Sequence, residues 1–149
     1  MAELQEAVAF SENYGTLVSI LLLDIDNFKN INDLHGYTVG DEVLRGLSAR
    51  LRRLVNVPES IGRFGGEEFL IILPHTTAKA AAEYAGRLCD QVRALPIPVA
   101  DQVLYITLSI GIAQHKLHHE DWQAFLNYAD RALSQAKERG RNQWVVSDE

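Results

Sequence analysis

A chain of 149 residues, 47% of them apolar and 23% charged, suits one soluble domain that buries a core without a structural metal, and its single cysteine excludes an internal disulfide. The net charge of −6 argues against a general nucleic-acid binder, which needs a basic stripe to displace counterions, and no apolar run reaches the length of a membrane span. A nucleotide is compatible with that charge if divalent metals stand between carboxylates and phosphate oxygens.

The first residues are acidic and Ala-rich, without the basic start of a signal peptide, so cytoplasm is the expected location. A helix is expected over residues 1–13, with Leu4, Val8 and Ala9 on one face. Nothing caps it ahead of Ala2, which reads as a fragment cut from a longer multidomain protein. Residues 16–23 are a continuous apolar run with β-branched members, expected as a central strand covered on both faces. It stops at Asp24-Ile25-Asp26. Both carboxylates point to one side in extended chain, at the strand end where ligand sites of sheet-and-helix folds gather. Asp26 is expected to N-cap a helix over 27–34; Asp24 has no such structural duty.

After a turn at His35-Gly36-Tyr37, a helix over 39–55 buries Val43, Leu44, Leu47, Leu51 and Leu54 and turns Arg45, Arg50, Arg52 and Arg53 outward. Next comes Arg63-Phe64-Gly65-Gly66-Glu67-Glu68-Phe69, expected as a hairpin of strands 60–64 and 69–73 with positive φ at both glycines of a tight turn. Two adjacent carboxylates at the mouth of a hairpin repel each other, a cost that a bound cation removes; the alternative is that both are solvated turn residues. A helix over 77–95, capped by Thr76 or Thr77 and ended by Pro96-Ile97-Pro98, looks structural, with Cys89 on its apolar stripe beside Ala81, Ala85, Leu88 and Val92. Residues 103–113 alternate with period two and are expected as one long strand. A helix over 121–139 stopped by Gly140 and a short strand over 143–146 complete the chain. The order of elements gives an α+β fold: a mainly antiparallel sheet of about five strands flanked by helices, in one domain spanning 1–149.

Asp24 and the Glu67-Glu68 pair converge if their strands are neighbours, and alternation lets only one of the two glutamates share Asp24's side. Oxygen ligands without nearby His or Cys suit Mg²⁺ or Mn²⁺ rather than zinc, and such a metal shares its coordination with substrate phosphates. The helix start at Asn27-Phe28-Lys29 offers free N–H groups for a phosphate, and Lys137 and Arg141, four apart, fall on one face if the last helix reaches Gly140. Singly, those two are ordinary solvated cations.

Four segments, Asp24-Ile25-Asp26-Asn27-Phe28-Lys29-Asn30-Ile31-Asn32-Asp33, Gly40-Asp41, Arg63 to Phe69, and Ala136-Lys137-Glu138-Arg139-Gly140-Arg141-Asn142, closely resemble the GGDEF family of diguanylate cyclases, in that family's order and approximate spacing, over about residues 17–146. The resemblance implies a fold like the nucleotidyl cyclases and the polymerase palm, and a bacterial signalling activity that joins two GTP into cyclic di-GMP plus two pyrophosphates. It implies Asp24, Glu67 and the carbonyl of Ile25 as metal ligands, resolving the choice of glutamate toward Glu67, with Glu68 assisting a second metal. It implies two Mg²⁺ (or Mn²⁺) per half-site, Asn32 and Asp41 as the guanine-reading pair, and Lys137, Arg141 and the amides of Phe28 and Lys29 as holders of the terminal phosphates. Gly65 and Gly66 would let backbone approach the nucleotide.

Because each domain of the family holds one GTP, the resemblance also implies a second copy of the domain in an antiparallel homodimer, with an upstream sensor or dimerising segment, and neither nucleic acid nor membrane as partner. The family's product-inhibition motif, Arg-x-x-Asp, is replaced by Asn56-Val57-Pro58-Glu59, so that inhibitory site is expected to be absent or weak. Arg52 and Arg53 lie a helical turn too early to replace it, and Arg87 falls near a secondary product contact of some members. Three rival readings stand beside this one. The domain is a catalytically silent GTP- or cyclic di-GMP-binding regulatory module; or it accepts ATP, which Asp41 opposes because a carboxylate repels adenine's unprotonated N1; or His115, His118, His119 and Glu120 bind a metal, against which stands the absence of a third well-placed donor.

Overall fold

The computed structural model describes residues 2–116 and 121–149. Helix α1 (Ala2–Tyr14) leads into β1 (Val18–Ile25), whose eight residues are all buried. Helices α2 (Phe28–His35) and α3 (Tyr37–Leu54) follow, then the pair β2 (Ser60–Arg63) and β3 (Glu68–Pro74) and helix α4 (Ala78–Ala94). A small hairpin, β4 (Ile97–Val99) and β5 (Gln102–Leu104), precedes β6 (Leu108–Gln114), α5 (Trp122–Glu138) and β7 (Gln143–Val146). The five-stranded sheet runs β2-β3-β1-β6-β7, antiparallel throughout except for the parallel pair β6 and β7. No described helix is long and apolar enough to cross a membrane.

Alternation along β1 explains the two-sided core. Leu21, Leu23 and Ile25 pack with Phe69 and Ile71 against α3 and α4, while Ile20 and Leu22 pack with Leu70 and Ile72 against Leu4 of α1 and Phe125 and Leu133 of α5. Each of these leucines contributes about 1.5–3 kcal/mol by leaving water, which is why a charge at position 24 marks the end of what the core accepts. Cys89 is buried among α4's apolar residues as expected, and burial pushes its thiol up to about 11, so it is inert packing. Thr77 and Asp121 cap α4 and α5, each accepting a backbone N–H three residues on.

Four local expectations change. The run 103–113 is not one strand: it breaks between Leu104 and Leu108, where the chain leaves the small β4–β5 hairpin and enters the main sheet. The turn at Gly65-Gly66 is not a two-residue turn, because pairing stops at Arg63↔Phe69, and neither glycine takes a left-handed φ. Asp26 does not cap α2; Asn27 holds that position, in a left-handed conformation without a side-chain capping bond. Ala9 faces solvent, and α1 buries Ser11 in its place.

Candidate active site

Asp24 lies on the α5-facing side of β1, only 5% exposed and directly across from Glu68 of β3 and Ser109 of β6. Lys137, from the last turn of α5, donates from Nζ to Asp24 Oδ2. The other oxygen, Oδ1, is buried and has no hydrogen-bond partner among the described residues. A buried carboxylate oxygen without a donor is costly, and a cation removes the cost.

Glu67 sits beyond the start of β3, so strand alternation no longer governs it. Its carbonyl accepts the Ile25 N–H at 3.4 Å, and it lines a cavity of about 230 Å³ together with Asp24, Ile25, Lys137 and Arg141. Phe28 and Lys29, at the start of α2, line the same cavity, and Asn27's side chain leaves the first amides of that helix uncapped. Three segments distant in sequence, residues 24–30, Glu67, and the pair Lys137 and Arg141, thus meet at one cavity. Glu68 stands beside them as Asp24's cross-strand neighbour.

Lys137 and Arg141 meet in the cavity by a different route from the expected one. Helix α5 ends at Glu138, so they do not share a helical face; instead Gly140 (φ +116°) ends the helix, with Arg141 N–H donating back to the Ala136 carbonyl at 3.0 Å. Asn32 and Asp41 do not line this cavity. Asn32 packs against Gly40, where a Cβ would lie 1.8 Å from its Oδ1, and Asp41 borders a second hollow with Leu44, Arg45 and Arg63. Gly65 and Gly66 are exposed in the β2–β3 loop, and a Cβ at either would meet no described atom closer than 4.0 Å, so packing among the described residues does not demand glycine there.

Burial raises the Asp24 carboxyl above the ordinary aspartate range; Lys137 opposes this through its hydrogen bond and charge, while Glu67 and Asp26 push it further up. Burial likewise raises Glu68, with Asp24 adding to the shift, Lys137 opposing it, and Asp130 and Glu67 adding again. Both acids therefore hold protons more tightly folded than unfolded, and their contribution to stability falls as pH rises from the ordinary carboxylate range through the raised values. Thermal melts in chelator are expected to show the parent losing stability relative to Asp24→Asn across that window, and Mg²⁺ at neutral pH to raise the parent's Tm. A constant difference between parent and variant would contradict the burial argument.

Among the described residues no group of three His, Cys, Asp or Glu side chains is placed to hold a metal ion. Asp24, Glu67 and the Ile25 carbonyl are oxygen donors, whose chemistry suits a hard cation. Of the histidine cluster, residues 118–120 lie outside the described residues; His115 is buried, 3.4 Å from Glu12 Oε1 and edge-on to Phe125. Asp26 is the functional-site feature that sequence reasoning misassigned: it is a buried acceptor for three donors, Thr107 just ahead of β6, Ser109 of β6 and Asn142 in the turn after α5. Its Asp-x-Asp spacing signalled an acid on Asp24's side and nothing of those partners.

The family model described as "Diguanylate cyclase, GGDEF domain" matches residues 1–143. The chain belongs to the GGDEF family. Diguanylate cyclase A of Treponema denticola is 35% identical over 130 residues, 87% of this chain and 35% of that protein, so this GGDEF chain spans about a third of that curated relative. The crystal structure of the GGDEF domain of DgcB from Caulobacter crescentus in complex with c-di-GMP superposes with a TM-score of 0.93 at 32% identity, covering 99% of this chain and 85% of that one. The active GGEEF domain of a diguanylate cyclase from Vibrio cholerae superposes with a TM-score of 0.90 at 31% identity, covering 99% and 94%. The α+β architecture expected from the sequence is thus that of solved GGDEF domains.

Proposed function

We propose that this GGDEF domain condenses two GTP molecules into cyclic di-GMP and two pyrophosphates as half of an antiparallel homodimer. One observation carries the reading: a buried Asp24 oxygen, without a hydrogen-bond partner among the described residues, at a cavity that Glu67, Lys137 and Arg141 share. Asp24, Glu67 and the Ile25 carbonyl hold divalent metal, with Glu68 beside them. Mg²⁺ bound there, two ions per half-site, supplies charge neutralisation at the phosphates and acidifies the attacking ribose 3′-hydroxyl.

The chain's own groups do the rest. Lys137 leaves Asp24 for the terminal phosphates, where Arg141 and the uncapped amides of Phe28 and Lys29 bind oxygens and orient the pyrophosphate for departure. Exposed Gly65 and Gly66 leave the loop bare where nucleotide approaches. Asn32 and Asp41 read guanine, whose N1–H and N2–H donors suit their acceptors and are missing from adenine. One cavity holds one GTP, so the attacking hydroxyl comes from a second copy facing it. Asn56 to Glu59 carry no basic side chain, which supports turnover without the Arg-x-x-Asp form of product inhibition.

The test is incubation of concentrated domain with GTP and Mg²⁺, with and without ATP, followed by chromatographic separation of nucleotides. Cyclic di-GMP without mixed dinucleotide is expected. No product even under enforced dimerisation would favour the silent regulatory module.

Gly40→Ala separates guanine reading from folding. Alanine favours the helix over glycine by about 1 kcal/mol, yet its Cβ would overlap Asn32 Oδ1 and press on Phe28 at 3.3 Å. Since Asn32's side chain can rotate away, Tm is expected to change little while the preference for GTP over ATP falls about tenfold, the worth of one specific hydrogen bond to a charged or polar base edge. Unchanged selectivity would remove Asn32 from the reading pair.

A further inference from the structure

Gly140, Arg141 and Asn142 form a run of three left-handed residues, with φ of +116°, +64° and +50°. Only the first is glycine. Two consecutive non-glycine residues in that region persist only where their surroundings hold them, and such strain gathers at functional positions. Here the holder is Asp26. Its Oδ2 accepts the Asn142 N–H at 2.9 Å and the Thr107 hydroxyl at 2.6 Å, and its Oδ1 accepts the Ser109 hydroxyl at 2.6 Å. The carboxylate is 6% exposed, and the Asp26 N–H also donates to the Thr107 carbonyl at 3.0 Å. Gln143 adds a second fastening, donating from Nε2 to the carbonyls of Arg139 and Arg141 at 3.0 Å each.

The geometry points to Asp26 as the positioning residue for Arg141: it locks the left-handed turn after α5 to the ends of β1 and β6, and so aims the guanidinium into the nucleotide cavity for the terminal phosphates. This rests on the phosphate-binding reading of Arg141 given above. Although α5 ends at Glu138, between the two cations, the locked turn keeps Arg141 on the same cavity as Lys137. Asp26 serves this purpose better than an amide because a carboxylate accepts at both oxygens, whereas asparagine would present one NH₂ to donors that need an acceptor.

The test is binding of GMP and of a GTP analogue with a methylene at the α,β-bridge, measured on the parent, Asp26→Asn, Arg141→Ala and the double variant. Asp26→Asn is expected to weaken the triphosphate about tenfold relative to GMP, the worth of a charge-assisted hydrogen bond or two. In the Arg141→Ala background it is expected to change that ratio no further, which a merely structural role would not produce. A ratio lost with Arg141→Ala but kept with Asp26→Asn overturns this inference alone; equal weakening of GMP and triphosphate by Asp26→Asn also overturns it. A ratio that survives Arg141→Ala overturns the phosphate reading and this inference together. Should Asp26→Asn not fold, the pair Thr107→Val with Ser109→Ala removes both hydroxyl donors and keeps the carboxylate. A smaller loss of the same ratio is then expected, and an unchanged ratio in the folded pair rejects the positioning role.

Discussion

Glu67→Gln is expected to lower cyclic di-GMP formation at least about 100-fold while leaving GTP binding largely in place, a loss of some 3 kcal/mol of transition-state stabilisation at 1.36 kcal/mol per tenfold. The substitution keeps size and removes charge at the β2–β3 loop residue that shares the cavity with Asp24, Lys137 and Arg141. On the proposed reading GTP keeps its contacts to Lys137, Arg141 and the α2 amides, so binding and turnover are expected to part company. Single-turnover synthesis with enforced dimers reads the chemical step, and equilibrium binding of the non-reacting analogue reads affinity. A variant that made product at the parent rate would refute the assignment of Glu67 as a metal ligand.

Gly111→Ala is expected to cost stability on a scale that no surface substitution reaches. Gly111 lies in β6 between Leu22 of β1 and Val145 of β7, and a Cβ there would stand 2.1 Å from the Ala129 carbonyl oxygen and 2.3 Å from the Leu133 nitrogen of α5. These are backbone atoms of a helix packed on the sheet, so no rotamer relieves the overlap. Overpacking of a core costs about 1–3 kcal/mol where side chains yield, and a backbone obstacle places this case at about 3 kcal/mol or more. For a chain of this size that corresponds to a Tm lower by about 6–12 °C. The same displacement moves Lys137, so activity should fall at temperatures where the variant is still folded. A Tm equal to the parent's would mean that α5 shifts outward freely.

The sequence disclosed those parts of fold and site that depend on short-range pattern. An unbroken apolar run ending at Asp24 announced the central strand and where it stops, and the adjacent Glu67 and Glu68 stood out by the cost of placing like charges together. Thr77 was legible because capping is a local hydrogen bond. Features set by distant partners were not legible. Asp26 looked like a cap because its acceptors' partners, Thr107, Ser109 and Asn142, lie more than eighty residues away. The apparent strand 103–113 kept period two through a place where the chain changes sheets, since alternation reports burial on one face and not which neighbour is paired. Lys137 and Arg141 do line one cavity, but not through the shared helical face that their spacing suggested, because three left-handed residues in succession have no sequence signature beyond one glycine.

The order of the sheet also says when in the life of the chain this site comes into being. β1 pairs with residues 68–74 and 108–114, so its eight buried residues wait for both partners until those later segments are made. Lys137 and the turn that follows it are made after both. A chain made only as far as β3 therefore displays an apolar strand with one edge unpaired, and it lacks the two cations that line the cavity. Completion of α5 and its turn is the step at which the cavity lining becomes whole, which makes cover of β1 during translation a matter of kinetics rather than of final stability.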